Sequence, residues 1–296
     1  MDEPGWPGDP DLQPPFEVIE PSRLAAPLVF DSPHSGSRYP SAFLAASRLD
    51  PLTLRRSEDA FVDELFLPCV ALGAPLLRAR FPRAFLDLNR EPFELDPRMF
   101  DGPLPDYVNT RSLRVAAGLG TIPRVVGDAQ PIYRARLPAA EALARVAELH
   151  RPYHQRLAGL IERTRARFGV AILVDCHSMP STLADAGSLD VVLGDRFGVS
   201  AAPWVVEALE SSLLARGYRV RRNKPYAGGY ITEHYGAPVA GRHAVQIEVN
   251  RALYMDEARM VKHERAAGLA ESLKAAAQAL AARALAEAGS GRWAAE

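Results

Sequence analysis

The chain has 296 residues, 48% of them hydrophobic and 24% charged, with a formal net charge of −1. Such a composition suits a soluble protein with a large core, and the mixed charges and short apolar runs argue against nucleic acid, an anionic membrane surface or a bilayer span as its business. The acidic start Met1-Asp2-Glu3-Pro4 lacks an apolar signal region, and two cysteines, Cys69 and Cys176, form no disulfide framework, so a reducing cytoplasm is expected.

Residues 1–24 carry many prolines and little periodicity. They read as an irregular arm, ahead of one α/β domain over residues 25–296. Residues 26–31 form a short apolar strand that runs into the turn-forming Ser32-Pro33-His34-Ser35-Gly36. Ser57-Glu58-Asp59 has the pattern of a helix start, with Ser57 as N-cap and Phe61, Val62, Leu65 and Phe66 as the apolar stripe. Residues 74–80 and 84–88 are expected strands, and the second ends in Asn89-Arg90. Residues 91–137 show no regular pattern. Their Tyr107, Arg111, Arg124, Tyr133, Arg134 and Arg136 suit either a lid over an anion or a solvated loop.

A long amphipathic helix is expected over residues 138–168, kinked or split at Pro152. The β-branched run at residues 170–174 then reads as a strand buried on both faces, ending in Asp175-Cys176-His177-Ser178. Further strands are expected at residues 188–194, 218–222 and 243–249, with a helix at 201–216 stopped by Gly217. A Gly- and Tyr-rich loop spans 225–236, and residues 257–288 are helical by propensity. Alternating strands and helices imply a mostly parallel sheet.

Polar groups collect at the carboxyl ends of these strands, where ligands bind in open α/β sheets. They are His34, Arg83, Asp87, Asn89, Arg90, Asp175, His177 and Glu248. Separate histidines with carboxylates point to a catalytic divalent metal with three protein ligands. His34 and His177 supply two, and Glu58 or Asp59 the third. Glu248 is costly to bury unpaired; beside a metal it can take a proton from water and return it to a leaving amine. It can equally pair with Arg251. Asn89-Arg90 suits a carboxylate, through the planar guanidinium, and Arg83 can stabilise an oxyanion. Asp175 shares a strand face with His177 and can orient it; Cys176 points the other way, which excludes a thiol–imidazole pair by adjacency. His150, His154 and His263 read as surface or capping residues. Gly228-Gly229 reads as a flexible hinge.

Asp-Ser-Pro-His-Ser-Gly (residues 31–36), Asp-Leu-Asn-Arg (87–90), Asp-Cys-His-Ser (175–178), Gly-Gly-Tyr-Ile-Thr (228–232) and His-Ala-Val-Gln-Ile-Glu (243–248) occur in this order. The set resembles the N-formylglutamate amidohydrolase family, which is similar to zinc carboxypeptidases and aspartoacylase. The resemblance implies a single-domain, three-layer α/β/α fold of phosphorylase/hydrolase type, with a mostly parallel mixed sheet and one zinc ion per chain. It matches His34 and His177 to the histidine ligands and Glu248 to the general base and acid. It matches Asn89 and Arg90 to the substrate-carboxylate pair, Arg83 to the oxyanion arginine, and Tyr230 and Thr232 to a loop beside the substrate. Carboxypeptidases take their acidic ligand three residues after the first histidine, where this chain has Ser37. The acid must then come from elsewhere, and Asp59 is expected ahead of Glu58. The implied reaction is hydrolysis of N-formyl-L-glutamate to formate and glutamate, the last step of one histidine-degradation route. A different N-acyl amino acid or short peptide is the alternative, and a binding protein without catalysis ranks last because the ligands and base are all present.

Overall fold

The computed structural model describes residues 10–127, 129–182 and 189–289. They fall into two compact units, one within residues 10–17, 33–60 and 78–156, the other within residues 18–32, 61–77 and 157–289.

The second unit is built on a mixed, mostly parallel sheet with helices on both sides. Strand Leu28–Ser32 pairs in parallel with Ala171–Met179, which pairs in parallel with Arg242–Asn250. Val191–Gly194 joins antiparallel to that strand and pairs in parallel with Val220–Arg222 at one end of the sheet. Leu76–Ala79 and Phe16–Ile19 follow at the other end. Every residue of Ala171–Met179 is buried, as its unbroken apolar run requires of a strand covered on both faces. Register does the rest. Glu248 sits beside His177, and Gln246 beside Asp175, so the carboxyl ends of two buried strands bring their polar residues together. Helices Pro203–Leu214 and Arg265–Gly289 pack against each other, and helix Tyr230–Tyr235 packs on the two central strands. Gly217, at φ 85°, ends the Pro203–Leu214 segment in the left-handed conformation expected of a C-terminal glycine.

The first unit has little regular structure. Helix Pro51–Arg55 is capped by Asp50, whose carboxylate accepts from Thr53 N, and Leu113–Ala116 is capped by Ser112. Its core gathers Phe43, Phe81, Phe85 and the guanidinium of Arg145, which lies 3.9 Å over the Phe85 ring. Helix Ala139–Arg145 passes through a π-helical turn, Val146–His150, into Arg151–Phe168. The expected break at Pro152 is thus an extra residue in the turn just before it, which absorbs the proline's missing N–H.

Several expectations need correction. Part of the arm, Phe16–Ile19, is a strand of the sheet. Residues 84–88 are buried but do not form a strand. Phe85 N and Leu86 N both donate to Pro82 O, and Asp87 N donates to Thr121 O, so turn and loop bonds replace a ladder. The helix after Asp59 is Val62–Phe66, preceded by Phe61 at φ 65°, and Ser57 Oγ donates backward to Leu54 O instead of capping it. The 225–236 loop contains helix Tyr230–Tyr235. The strand expected from residue 188 is Val191–Gly194, and Ser188 itself lies outside the described residues. Among the described residues no helix is long and apolar enough to cross a membrane.

Candidate metal centre and active site

His34 follows strand Leu28–Ser32 in a tight loop. Gly36 is required there, because a Cβ would lie 2.2 Å from Phe81 O. His34 O accepts from Asp59 N, which joins the two candidate ligands through the backbone. Their side chains also meet, with Nδ1 of His34 3.4 Å from Oδ2 of Asp59. Glu58 is engaged elsewhere. Tyr39 Oη donates to it at 2.7 Å, and Arg55 Nε reaches both of its oxygens at 3.2 Å. Phenol and guanidinium claim the neighbouring carboxylate, so Asp59 is the acid turned toward His34.

Behind His34 lies Asp87, to which sequence reasoning gave no role. Its Oδ1 accepts from His34 Nε2 at 2.7 Å and from Asn89 N at 2.9 Å, and its Oδ2 accepts from Arg83 Nη2 at 2.7 Å. Arg90 approaches the same oxygen at 3.6 Å. Burial alone would raise the Asp87 carboxyl, but Arg83, Arg90 and His34 overcome it and hold it well below the usual carboxylate range. Arg90 is itself tied down, donating from Nε to Leu119 O and from Nη1 to Asn89 O. The 88–90 segment is fixed from the helix as well. His150 Nε2 donates to Arg90 O and His154 Nε2 to Leu88 O, each at 2.9 Å. Both histidines are buried, which corrects their reading as surface residues. The interleaved carbonyls of residues 88 and 90 gave no sequence signal for this. From the 91–137 segment, Arg98, Arg124, Tyr133, Arg134 and Arg136 line, with Arg48, an open cavity of about 360 Å³.

In the second unit, His177 Nε2 donates to Asp175 Oδ1 at 2.7 Å, the pairing that strand alternation leads one to expect. Cys176, on the opposite face, is fully buried and donates from Sγ to Val174 O; burial pushes its thiol well above the ordinary range. Ser178 Oγ accepts from Arg251 Nε at 3.1 Å. Glu248 Oε1 accepts from Gln246 Nε2 at 2.7 Å, and Gln246 Oε1 accepts from Gly229 N at 2.9 Å. The Gly228-Gly229 turn is accordingly held rather than hinged. Thr232 is fully buried, and its hydroxyl donates to Gly229 O. Half-buried Tyr230 stacks on His234 with ring centroids 5.1 Å apart.

His34 and Asp59 in the first unit and His177 in the second are all buried, and each offers an atom of the kind that ligates a metal ion. The chemistry of the donors fits one. In both histidines Nε2–H donates to a carboxylate, which leaves the lone pair on Nδ1, and such backing fixes the orientation of a ligand imidazole. Two imidazoles and one carboxylate are the donor types of hydrolytic metal sites.

A family model for N-formylglutamate amidohydrolase matches residues 26–255. An N-formylglutamate deformylase of Pseudomonas aeruginosa is 34% identical over 247 residues, covering 81% of this chain and 86% of the relative. The Pseudomonas putida enzyme of that name is 32% identical over 237 residues, with 78% and 82% covered. The crystal structure of an N-formylglutamate amidohydrolase from Ralstonia eutropha JMP134 superposes with a TM-score of 0.84 at 35% identity, covering 95% of this chain and 99% of that one. A gene product of Agrobacterium tumefaciens, at 20% identity and a TM-score of 0.64, shares the fold.

Proposed function

Since this chain belongs to the N-formylglutamate amidohydrolase family, we propose that it hydrolyses the formyl amide of N-formyl-L-glutamate, releasing formate and L-glutamate, with one zinc ion per chain. The observation that carries the reading is that two buried imidazoles, His34 and His177, each have a carboxylate behind Nε2, with Asp59 beside His34.

A bound zinc ion would supply Lewis-acid polarisation of the formyl carbonyl and lower the pKa of water at the site. The chain's own residues do the rest. Glu248 takes a proton from the attacking water as its oxygen adds to the formyl carbon. The tetrahedral centre collapses with cleavage of the C–N bond, and Glu248 returns the proton to the departing amine nitrogen. Arg83, on the more exposed side of Asp87, is the cation for the developing oxyanion. Asn89 and Arg90 hold a substrate carboxylate from a segment that His150, His154 and Leu119 keep rigid. Tyr230 faces the substrate, while Thr232 braces the turn that carries it. Cys69 and Cys176 are free and buried, which suits a reducing cytoplasm. Release of formate and glutamate from N-formylglutamate in this way would complete a histidine-degradation route.

The test is formate release from N-formylglutamate by zinc-loaded protein, measured beside N-acetylglutamate and short peptides. A clear preference for the formyl substrate is expected. Equal or better turnover of the other substrates moves the assignment to a broader N-acyl hydrolase, and turnover unchanged in Glu248→Gln overturns the mechanism.

A further inference from the structure

We infer that Gln246 is a positioning residue that aims the Glu248 carboxylate, and that the Gly228-Gly229 turn sets its aim. The inference rests on Glu248 being the proton carrier proposed above. Gln246 is 5% exposed and lies two residues before Glu248, so both side chains stand on one face of the strand. The two ends of a glutamine amide differ only in what they can bond. Here the choice is forced. A backbone N–H can only donate, so the end that meets Gly229 N at 2.9 Å is the oxygen. The amide nitrogen is thereby turned to Glu248, where it donates to Oε1 at 2.7 Å.

The turn is fixed in its own right. Gly228 adopts φ 120°, and Thr232 Oγ1 donates to Gly229 O at 2.9 Å. Gly194 is the register partner of Gln246 on the neighbouring strand, and a Cβ there would stand 2.8 Å from the carbonyl carbon of Ala227. The missing side chain at Gly194 lets the turn come close enough for its N–H to reach Gln246. The terminal torsion of a glutamate is broad, so an unheld carboxylate would sample many directions. Fixing one oxygen fixes the direction of the other, and proton transfer depends on that geometry before it depends on acidity. Gln246 thus carries orientation from the turn bearing Tyr230 to the proton carrier.

The two roles of Gln246, bracing the turn and aiming Glu248, separate by substitution in the zinc-loaded enzyme. Gln246→Glu keeps length and the oxygen for Gly229 but replaces the donor facing Glu248. Gln246→Met keeps bulk and removes both bonds. The readouts are kcat and KM for formate release, with zinc content and thermal midpoint as controls. Gln246→Glu should lose about ten- to a hundredfold in kcat, the usual cost of removing a partner that orients an active-site ligand. KM and zinc content should stay near wild type. Gln246→Met should lose kcat similarly and raise KM as well, because the turn bearing Tyr230 loses its brace. Wild-type kcat in Gln246→Glu, or a raised KM with kcat kept in Gln246→Met, makes Gln246 a brace for the turn only and overturns the inference. Should Gln246→Glu fail to fold, the kcat and KM of Gln246→Met decide. Wild-type protein that releases no formate from N-formylglutamate would instead sink the functional reading itself.

Discussion

Asp87→Asn is the substitution that bears most directly on how the site is held. Asp87 is 2% exposed and accepts from His34, Arg83 and Asn89 N at 2.7–2.9 Å. Asparagine keeps the shape and one oxygen, which can continue to serve Asn89 N and His34. Its nitrogen then faces the Arg83 guanidinium, donor against donor. A hydrogen bond to a charged group contributes about 1.5–3 kcal/mol, and breaking a buried pair costs about 3–5 kcal/mol. The Arg83 side chain is 25% exposed and that of Arg90 15%, so water recovers part of both charges. A loss of about 2–4 kcal/mol in the stability of the metal-free protein is therefore expected, read by denaturant unfolding. His34 would also exchange a carboxylate for a neutral amide behind its Nε2. Zinc affinity, measured by competition with a chromophoric chelator, should fall about ten- to a hundredfold. Unchanged unfolding midpoint together with unchanged zinc affinity would refute the claim that Asp87 organises His34 and the arginines.

Asp59→Asn should remove most zinc binding, whereas Glu58→Gln should keep it and instead lower stability by about 1–3 kcal/mol, because Tyr39 and Arg55 lose a buried charged acceptor; zinc content by metal analysis and unfolding midpoints check both. Burial pushes the Cys176 thiol well above its usual range and Cys69 up to about 12, so native protein should react with Ellman's reagent only on unfolding. Cys176→Ala should keep its kcat within about twofold, and a loss of orders of magnitude would revive a nucleophilic thiol. Gly194→Ala places a Cβ against the backbone of Ala227 and Gly228, which cannot give way as a side chain would. It should cost about 1–3 kcal/mol in stability and lower kcat by displacing the turn from Gln246.

The sequence by itself determined the parts of the site that depend on local period. The apolar run into Asp175 made a buried strand, and alternation put Asp175 and His177 on one face with Cys176 on the other, as the 2.7 Å imidazole–carboxylate bond bears out. Proline and glycine marked the break near Pro152 and the stop at Gly217 for equally local reasons. Other features required the tertiary structure. Residues 84–88 have a strand's composition, yet the Pro82 carbonyl takes the N–H groups of Phe85 and Leu86, and the Thr121 carbonyl that of Asp87, in place of a ladder. Glu58 and Asp59 are adjacent carboxylates with no sequence difference that assigns a ligand; Tyr39 and Arg55 engage one and leave the other facing His34. Asp87 reaches His34 across 53 positions, and strand pairing sets Glu248 beside His177 across a longer separation. Period and propensity describe how a segment presents its faces. Which distant group meets that face follows from sheet register and chain reversal, where many weak contacts decide together.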